Sequence, residues 1–244
     1  MKTYRDRAIV LRSFDLGEAD RIITMLTRDN GKVRAVAKGV RKTKSRFGAR
    51  VEPFSVIDIQ LYHGRSLDIV SQVESVNTYG RYLVANYERF TAATAMLDVA
   101  DRLTGEDPDP EQFDLLHGAI HAAAVGAHLP DITLNSYMLR SMAISGWQLA
   151  IFECARCGLP GPHQALHVPS GGAVCDQCRP AGAMLPSVET WQLLGALQEG
   201  DWAIADRSSS SARRAAQGIV AAFVQWHVES TVKSLRHVQM AQEK

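Results

Sequence analysis

All four cysteines of this 244-residue chain fall in one short stretch: Cys154 and Cys157, then Cys175 and Cys178, spaced C-x2-C-x17-C-x2-C. Two such knuckles are the usual source of four thiolates for a tetrahedral Zn²⁺, at roughly 2.3 Å per Zn–S bond. Between the pairs lie Gly158, Pro160, Gly161, Pro162, Gly171 and Gly172, with little apolar content to form a core. Such a segment needs a staple, and metal-binding free energy supplies it as folding free energy. Competing readings are weaker. Disulfides fit an exported protein, whereas Met1 to Arg7 meets charge at once and has no apolar h-region. A redox-active C-x-x-C does not need a second pair. A zinc deaminase needs H-x-E upstream of P-C-x-x-C, and His227-Val228-Glu229 lies after both pairs. His163 or His167 could replace one thiolate. The expectation is one structural zinc on Cys154, Cys157, Cys175 and Cys178, with no position left open for catalysis.

The rest of the chain divides by periodicity. Short strand-like runs occur at Arg7–Phe14, Arg21–Thr27, Lys32–Ala37, Phe54–Tyr62 and Leu67–Val76, with turn signals at Asp15-Leu16-Gly17, Asp29-Asn30-Gly31 and His63-Gly64-Arg65-Ser66. Five strands in so short a span predict a small barrel of SH3 or OB type. After Tyr79 the pattern becomes helical. Leu83, Tyr87, Phe90, Leu97, Ala100 and Leu103 recur at helical spacings up to Gly105. Asp109-Pro110 opens a second helix to about Leu129, and Pro130 or Asp131 a third towards Trp147. Pro186-Ser187 and Ser208–Ser211 introduce two more. The expected fold is α+β and multidomain: a barrel over residues 1–80, then a helical domain over 81–244 with a zinc-binding insert at about 151–182.

Composition matters through its distribution. The chain has 27 Lys+Arg against 26 Asp+Glu, a formal charge of +1 that argues against a basic nucleic-acid binder. Residues 1–50 nevertheless hold 14 basic and 5 acidic side chains, net +9, while residues 81–150 hold 4 and 9, net −5. Such asymmetry points to a polyanionic partner. From Asn30 to Val51 there are eight cations and no acid: Lys32, Arg34, Lys38, Arg41, Lys42, Lys44, Arg46 and Arg50. Phosphates need mobile cations and unpaired bases need a π-face, for which Phe47 is the candidate. Gly39, Thr43, Ser45 and Gly48 should keep the stretch flexible. The competing reading is a solvated loop whose charges pair with the acidic middle. That acidic middle could instead keep DNA on the barrel or dock a basic partner.

No G-x-x-x-x-G-K-[ST], G-x-G-x-x-G or G-x-S-x-G occurs, so no nucleotide cofactor and no enzyme chemistry is expected. No run approaches the ~20 apolar residues of a membrane helix. His117 and His121, four apart, read as an exposed or core-edge pair.

The order of these parts resembles the RecO family of bacterial DNA-repair and recombination mediators. The resemblance is carried by Tyr4 to Phe54, above all Lys38-Gly39-Val40-Arg41-Lys42 and Lys44-Ser45-Arg46-Phe47-Gly48. It continues through Leu61 to Ser75, and returns at the C-x-x-C pairs and at Lys233-Ser234-Leu235-Arg236. The resemblance implies an OB-fold, a helical domain and a four-cysteine zinc module. It also implies binding to single- and double-stranded DNA, strand annealing, and contact with RecR and with the C-terminal tail of the single-stranded-DNA-binding protein (SSB). The implied task is to help RecA onto SSB-coated DNA, in the cytoplasm at the nucleoid. The alternative is an RNA-binding or regulatory adaptor with a structural zinc site.

Overall fold

The computed structural model describes residues 3–42, 45 and 47–242, with side chains described as far as Val228. They form two compact units, residues 1–130 and 131–244. In the first, five strands run Thr3–Leu16 (β1), Asp20–Thr27 (β2), Lys32–Ala37 (β3), Ser55–Tyr62 (β4) and Asp68–Thr78 (β5). Their order is β1-β2-β3-β5-β4, and the sheet closes into a barrel because β4 pairs back on β1, with Ala8 opposite Ile57. All pairings are antiparallel except the short β3–β5 seam, where Ala35 faces Asp68 and Val36 faces Ile69.

Alternation sets the inside of the barrel. On β3, Val33, Ala35 and Ala37 point inward between Lys32, Arg34 and Val36, and Ile57, Ile59 and Leu61 do the same on β4. Closing so few strands requires sharp bends, and the register slips between Val10 and Arg12 on β1 and twice along the β4–β5 pair. Ser71 sits at one of these slips and donates its hydroxyl to the Gln60 carbonyl at 3.0 Å. The β2–β3 turn is tied down by Asp6, a carboxylate only 8% exposed. It accepts from the Arg7 amide at 2.7 Å, the Asp29 amide at 3.1 Å and the Asn30 side-chain amide at 2.7 Å. Gly31 has φ +64°, and a Cβ there would lie 2.4 Å from the carbonyl oxygens of Glu106 and Asp107, so only glycine fits.

β1 is buried on both faces, since Ile9 and Leu11 are as hidden as Ala8 and Val10. The helix Tyr87–Leu103 (α2) packs on this strand and on Pro110–Val125 (α3). Asp109 caps α3 by accepting the Gln112 amide at 3.0 Å, with Pro110 in its first turn, as the Asp-Pro pair predicts. The periodicity from Leu83 onward reads as one helix, but two form. Gly80–Leu83 makes a single turn (α1), and Asn86 then caps α2 by accepting the Arg89 amide at 3.0 Å. Asparagine favours caps over helix interiors, so the chain restarts there. The restart turns Tyr87, expected on the apolar face, out into solvent at 82% exposure.

The second unit contains Pro130–Ile144 (α4), the short pair Ala165–His167 (β6) and Gly172–Val174 (β7), and the helices Val188–Glu199 (α5), Trp202–Ala205 (α6) and Ser210–Gln242 (α7). Tyr137, Leu139, Met142, Leu194, Leu197, Val220 and Phe223 are buried there, and Ser136 donates to the Leu197 carbonyl at 2.7 Å to join α4 to α5. Ser187 caps α5, as the Pro-Ser pair predicts. Among the described residues no helix is long and apolar enough to cross a membrane.

Replacing Asp6 with Ala is expected to orphan the donors it collects and cost about 1–3 kcal/mol of unfolding free energy. Urea denaturation followed by circular dichroism measures this.

Candidate metal centre and cationic barrel surface

The cysteine segment is organised by the β6–β7 ribbon. Ala173 donates to the Ala150 carbonyl at 2.8 Å, and Ala150 donates back to Gly171 at 3.0 Å. Gly172 has φ +144°, and a Cβ there would lie 2.2 Å from the Ala150 oxygen, so this edge closes only around glycine. The knuckle Cys154–Gly158 turns tightly, with the Gly158 amide on the Cys154 carbonyl at 2.8 Å. Cys154 and Cys175 are buried with Ala165 and Val174, while Cys178 is half-buried and Cys157 exposed.

The four sulfurs all lie within 4.8 Å of one another, and Cys157 Sγ is 3.8 Å from Cys175 Sγ. A tetrahedral ion with bonds of about 2.3 Å places its sulfurs about 3.8 Å apart, whereas a disulfide needs about 2.05 Å. All four cysteines are free. The local electrostatics ask for a cation. Burial pushes the Cys154 thiol up, but amides of Cys175, Arg156 and Cys157 aimed at its sulfur outweigh this and bring it down to about 6. Cys178 is pushed up to about 12 by hydrogen bonding among the neighbouring sulfurs Cys175 and Cys157. Four sulfurs this close cannot all ionise unaided, and a bound divalent cation removes the conflict. The residues fit a metal ion. His163 instead hydrogen-bonds the Leu159 carbonyl and His167 the Ser170 hydroxyl, each at 2.8 Å, so neither joins the cluster.

The basic segment is less free than its composition suggests. Lys32 sits at the start of β3 with its ammonium 3.4 Å from Asp101 on α2, and its amide donates to Gly105. Arg34 is exposed on the outer face of β3, and Lys38 and Lys42 are exposed beyond it. Arg41 is pulled to the β1–β2 tip, 3.3 Å from Asp15 and 3.2 Å from the Gly17 carbonyl. Arg50 is exposed on the turn Gly48–Val51. Lys44 and Arg46 lie outside the described residues.

Phe47 corrects the expectation of a stacking face. It is 6% exposed and packs in the barrel core with Val40 and Val51, because a lone ring in a polar loop gains most by filling the barrel's open end. Part of the acidic middle is used internally: Asp98 and Asp101 pair with Arg12 at 3.0 and 2.9 Å, and Asp114 with Arg28 at 2.8 Å. These pairs are part-exposed, worth about 0–1 kcal/mol each, and set orientation more than stability. Charge counting could not find them, since the partners stand far apart in sequence.

Fold and site together define a protein with a five-stranded barrel bearing exposed cations, a helical region and a four-cysteine cluster that could hold a metal ion. The family model described as "Recombination protein O N terminal" matches residues 1–79, and "Recombination protein O C terminal" matches residues 84–236. The chain is 52% identical over 243 residues to the DNA repair protein RecO of Thermobifida fusca (strain YX), spanning 99% of this chain and 100% of that protein. The chain belongs to the RecO (recombination protein O) family. This is a DNA-repair family and not a family of enzymes.

Elemental analysis of protein prepared without added metal is expected to find one metal ion per chain. Chelation, or Cys175→Ser, is expected to remove it and lower the unfolding temperature. Acidification is expected to act in the same direction, because protons compete with the ion for thiolates. An intact fold with no metal would refute the site.

Proposed function

We propose that this chain is a recombination mediator that binds single- and double-stranded DNA, promotes strand annealing and, with RecR, helps load RecA onto DNA coated by SSB, whose C-terminal tail it takes up. On this reading the barrel is of OB type. Residues 1–80 form the DNA-binding part, and residues 81–244 the helical part with a zinc insert at about 151–182. The protein works in the cytoplasm at the nucleoid. The observation that carries the reading is the run of exposed cations Arg34, Lys38, Arg41, Lys42 and Arg50 on and beside the barrel of a RecO-family chain. Lys44 and Arg46 extend it by sequence. Lys32 contributes mainly to the contact with α2, since Asp101 neutralises it.

The mechanism is electrostatic. Two strands meeting must overcome phosphate repulsion, and cations along the backbone screen it while base edges remain free to pair. Because Val40, Phe47 and Val51 hold the loop ends in the barrel core, the cations are presented from a fixed base. The metal is read as a single zinc on Cys154, Cys157, Cys175 and Cys178, where thiolate softness suits Zn²⁺. It supplies folding energy to its module.

Annealing of complementary oligonucleotides coated with SSB is expected to accelerate on adding the protein, and no acceleration would refute mediation. If six cations engage single-stranded phosphates, log K falls with log[salt] at a slope of roughly −4. Neutralising Arg41, Lys42, Lys44 and Arg46 together is expected to reduce that slope by about 3. An unchanged slope would put the DNA elsewhere on the protein.

A further inference from the structure

With Phe47 inside the barrel, the basic loop has no aromatic surface of its own among the described residues. Exposed rings instead follow β5, in the segment that leads through α1 into α2. Tyr82 is 50% and Tyr87 82% exposed, with Val84 at 65% between them. Exposed tyrosines are ordinary when single, but these share one short segment with an arginine. The Arg81 guanidinium lies over the Tyr82 ring, 4.5 Å from its centroid. Residues 79–87 carry Arg81 and no acid.

The backbone under these rings is fixed. Leu83 is fully buried, and its amide donates to the Tyr79 carbonyl at 3.1 Å. Asn86 caps α2 immediately before Tyr87, and Phe90, one turn on, packs edge-to-face on Phe54 at 5.7 Å. Phe54 is held at φ +67°, and its carbonyl accepts the Tyr79 amide at 3.3 Å. The rings are therefore presented from anchored backbone.

The start of the segment also adjoins the basic loop. Thr78, at the end of β5, lines a cleft of about 260 Å³ together with Ser45, Phe47 and Arg50. Two residues after Thr78 the chain enters α1. Arg50 thus shares a cleft with a residue three positions before Arg81 and four before Tyr82.

We propose that Tyr82 and Tyr87, with Arg81, form a base-stacking platform for unpaired nucleotides of the strand held by the basic loop. Sequence-tolerant stacking on aromatic faces beside a cationic track is how single strands are gripped without reading their bases. The platform takes bases only when unpaired, so it distinguishes single strands from duplex, which the loop's charges cannot do. The inference rests on the DNA-binding reading above.

The test compares the full-length protein with the pairs Tyr82→Ala/Tyr87→Ala and Tyr82→Phe/Tyr87→Phe. The probes are oligo-dT, an abasic deoxyribose-phosphate strand of equal length, and a blunt duplex. The alanine pair is expected to weaken oligo-dT binding by at least about fivefold, and up to about a hundredfold for each ring that stacks. Its affinity for the abasic strand and the duplex, its salt slope and its unfolding temperature are expected to stay parental. The phenylalanine pair should bind oligo-dT like the parent. Unchanged oligo-dT affinity in the alanine pair overturns the platform, as does an equal loss on the abasic strand. If the alanine pair instead alters self-association alone, the rings serve a protein contact and the proposal falls. Failure of the parent to bind any strand would remove the DNA-binding reading itself. A salt slope that responds to loop neutralisation beside an indifferent alanine pair removes only the platform.

Discussion

The first unit depends on how its sheet closes. The β3–β5 seam is parallel and only two residue pairs long, so β3 cannot turn directly into β5. A parallel neighbour needs a crossover, and the intervening chain must travel round the barrel and return as β4 between β1 and β5. That detour is the basic segment. From it Val40, Phe47 and Val51 enter the barrel core. Burying three apolar side chains contributes several kcal/mol, at roughly 1.5–3 kcal/mol for each of the larger ones. Arg41, Lys42 and Arg50 are left outside because a buried unpaired charge costs far more. Closure therefore both requires the loop and sorts its residues.

A related economy holds at the outer surface of β1. Ile9 and Leu11 are apolar on the face that points away from the barrel interior, and α2 covers them. The charged rim of that contact pairs Arg12 and Lys32 with Asp98 and Asp101. Part of the basic excess of the N-terminal segment is neutralised there. Arg34 on the outer face of β3, and Lys38, Lys42 and Arg50 beyond it, are among the cations left exposed.

In the second unit the metal knuckle solves a different problem. Residues 151–180 build their ribbon from β6 and β7, strands of three residues each. Two-stranded ribbons of this size are not stable alone. The amides directed at Cys154 favour its thiolate, and a bound cation would let the crowded neighbouring sulfurs ionise as well.

Much of this was legible in the chain. The cysteine spacing marked the four residues whose sulfurs the fold gathers, because paired cysteines with two residues between them have few other uses at that density. Strand alternation located the five strands to within a few residues, and Asp109-Pro110 and Pro186-Ser187 marked helix starts, because capping and fixed φ are local effects. The chain by itself also determined that positive charge is concentrated near its N-terminus. The tertiary structure alone decided the fate of single residues: Phe47 inside and Tyr87 outside, Lys32 and Arg12 committed to carboxylates, His163 and His167 away from the sulfurs. Local sequence carries propensity and pattern. Whether a ring or a charge meets core, partner or solvent depends on which distant segment lies opposite, and barrel closure settles that only once all five strands are in register.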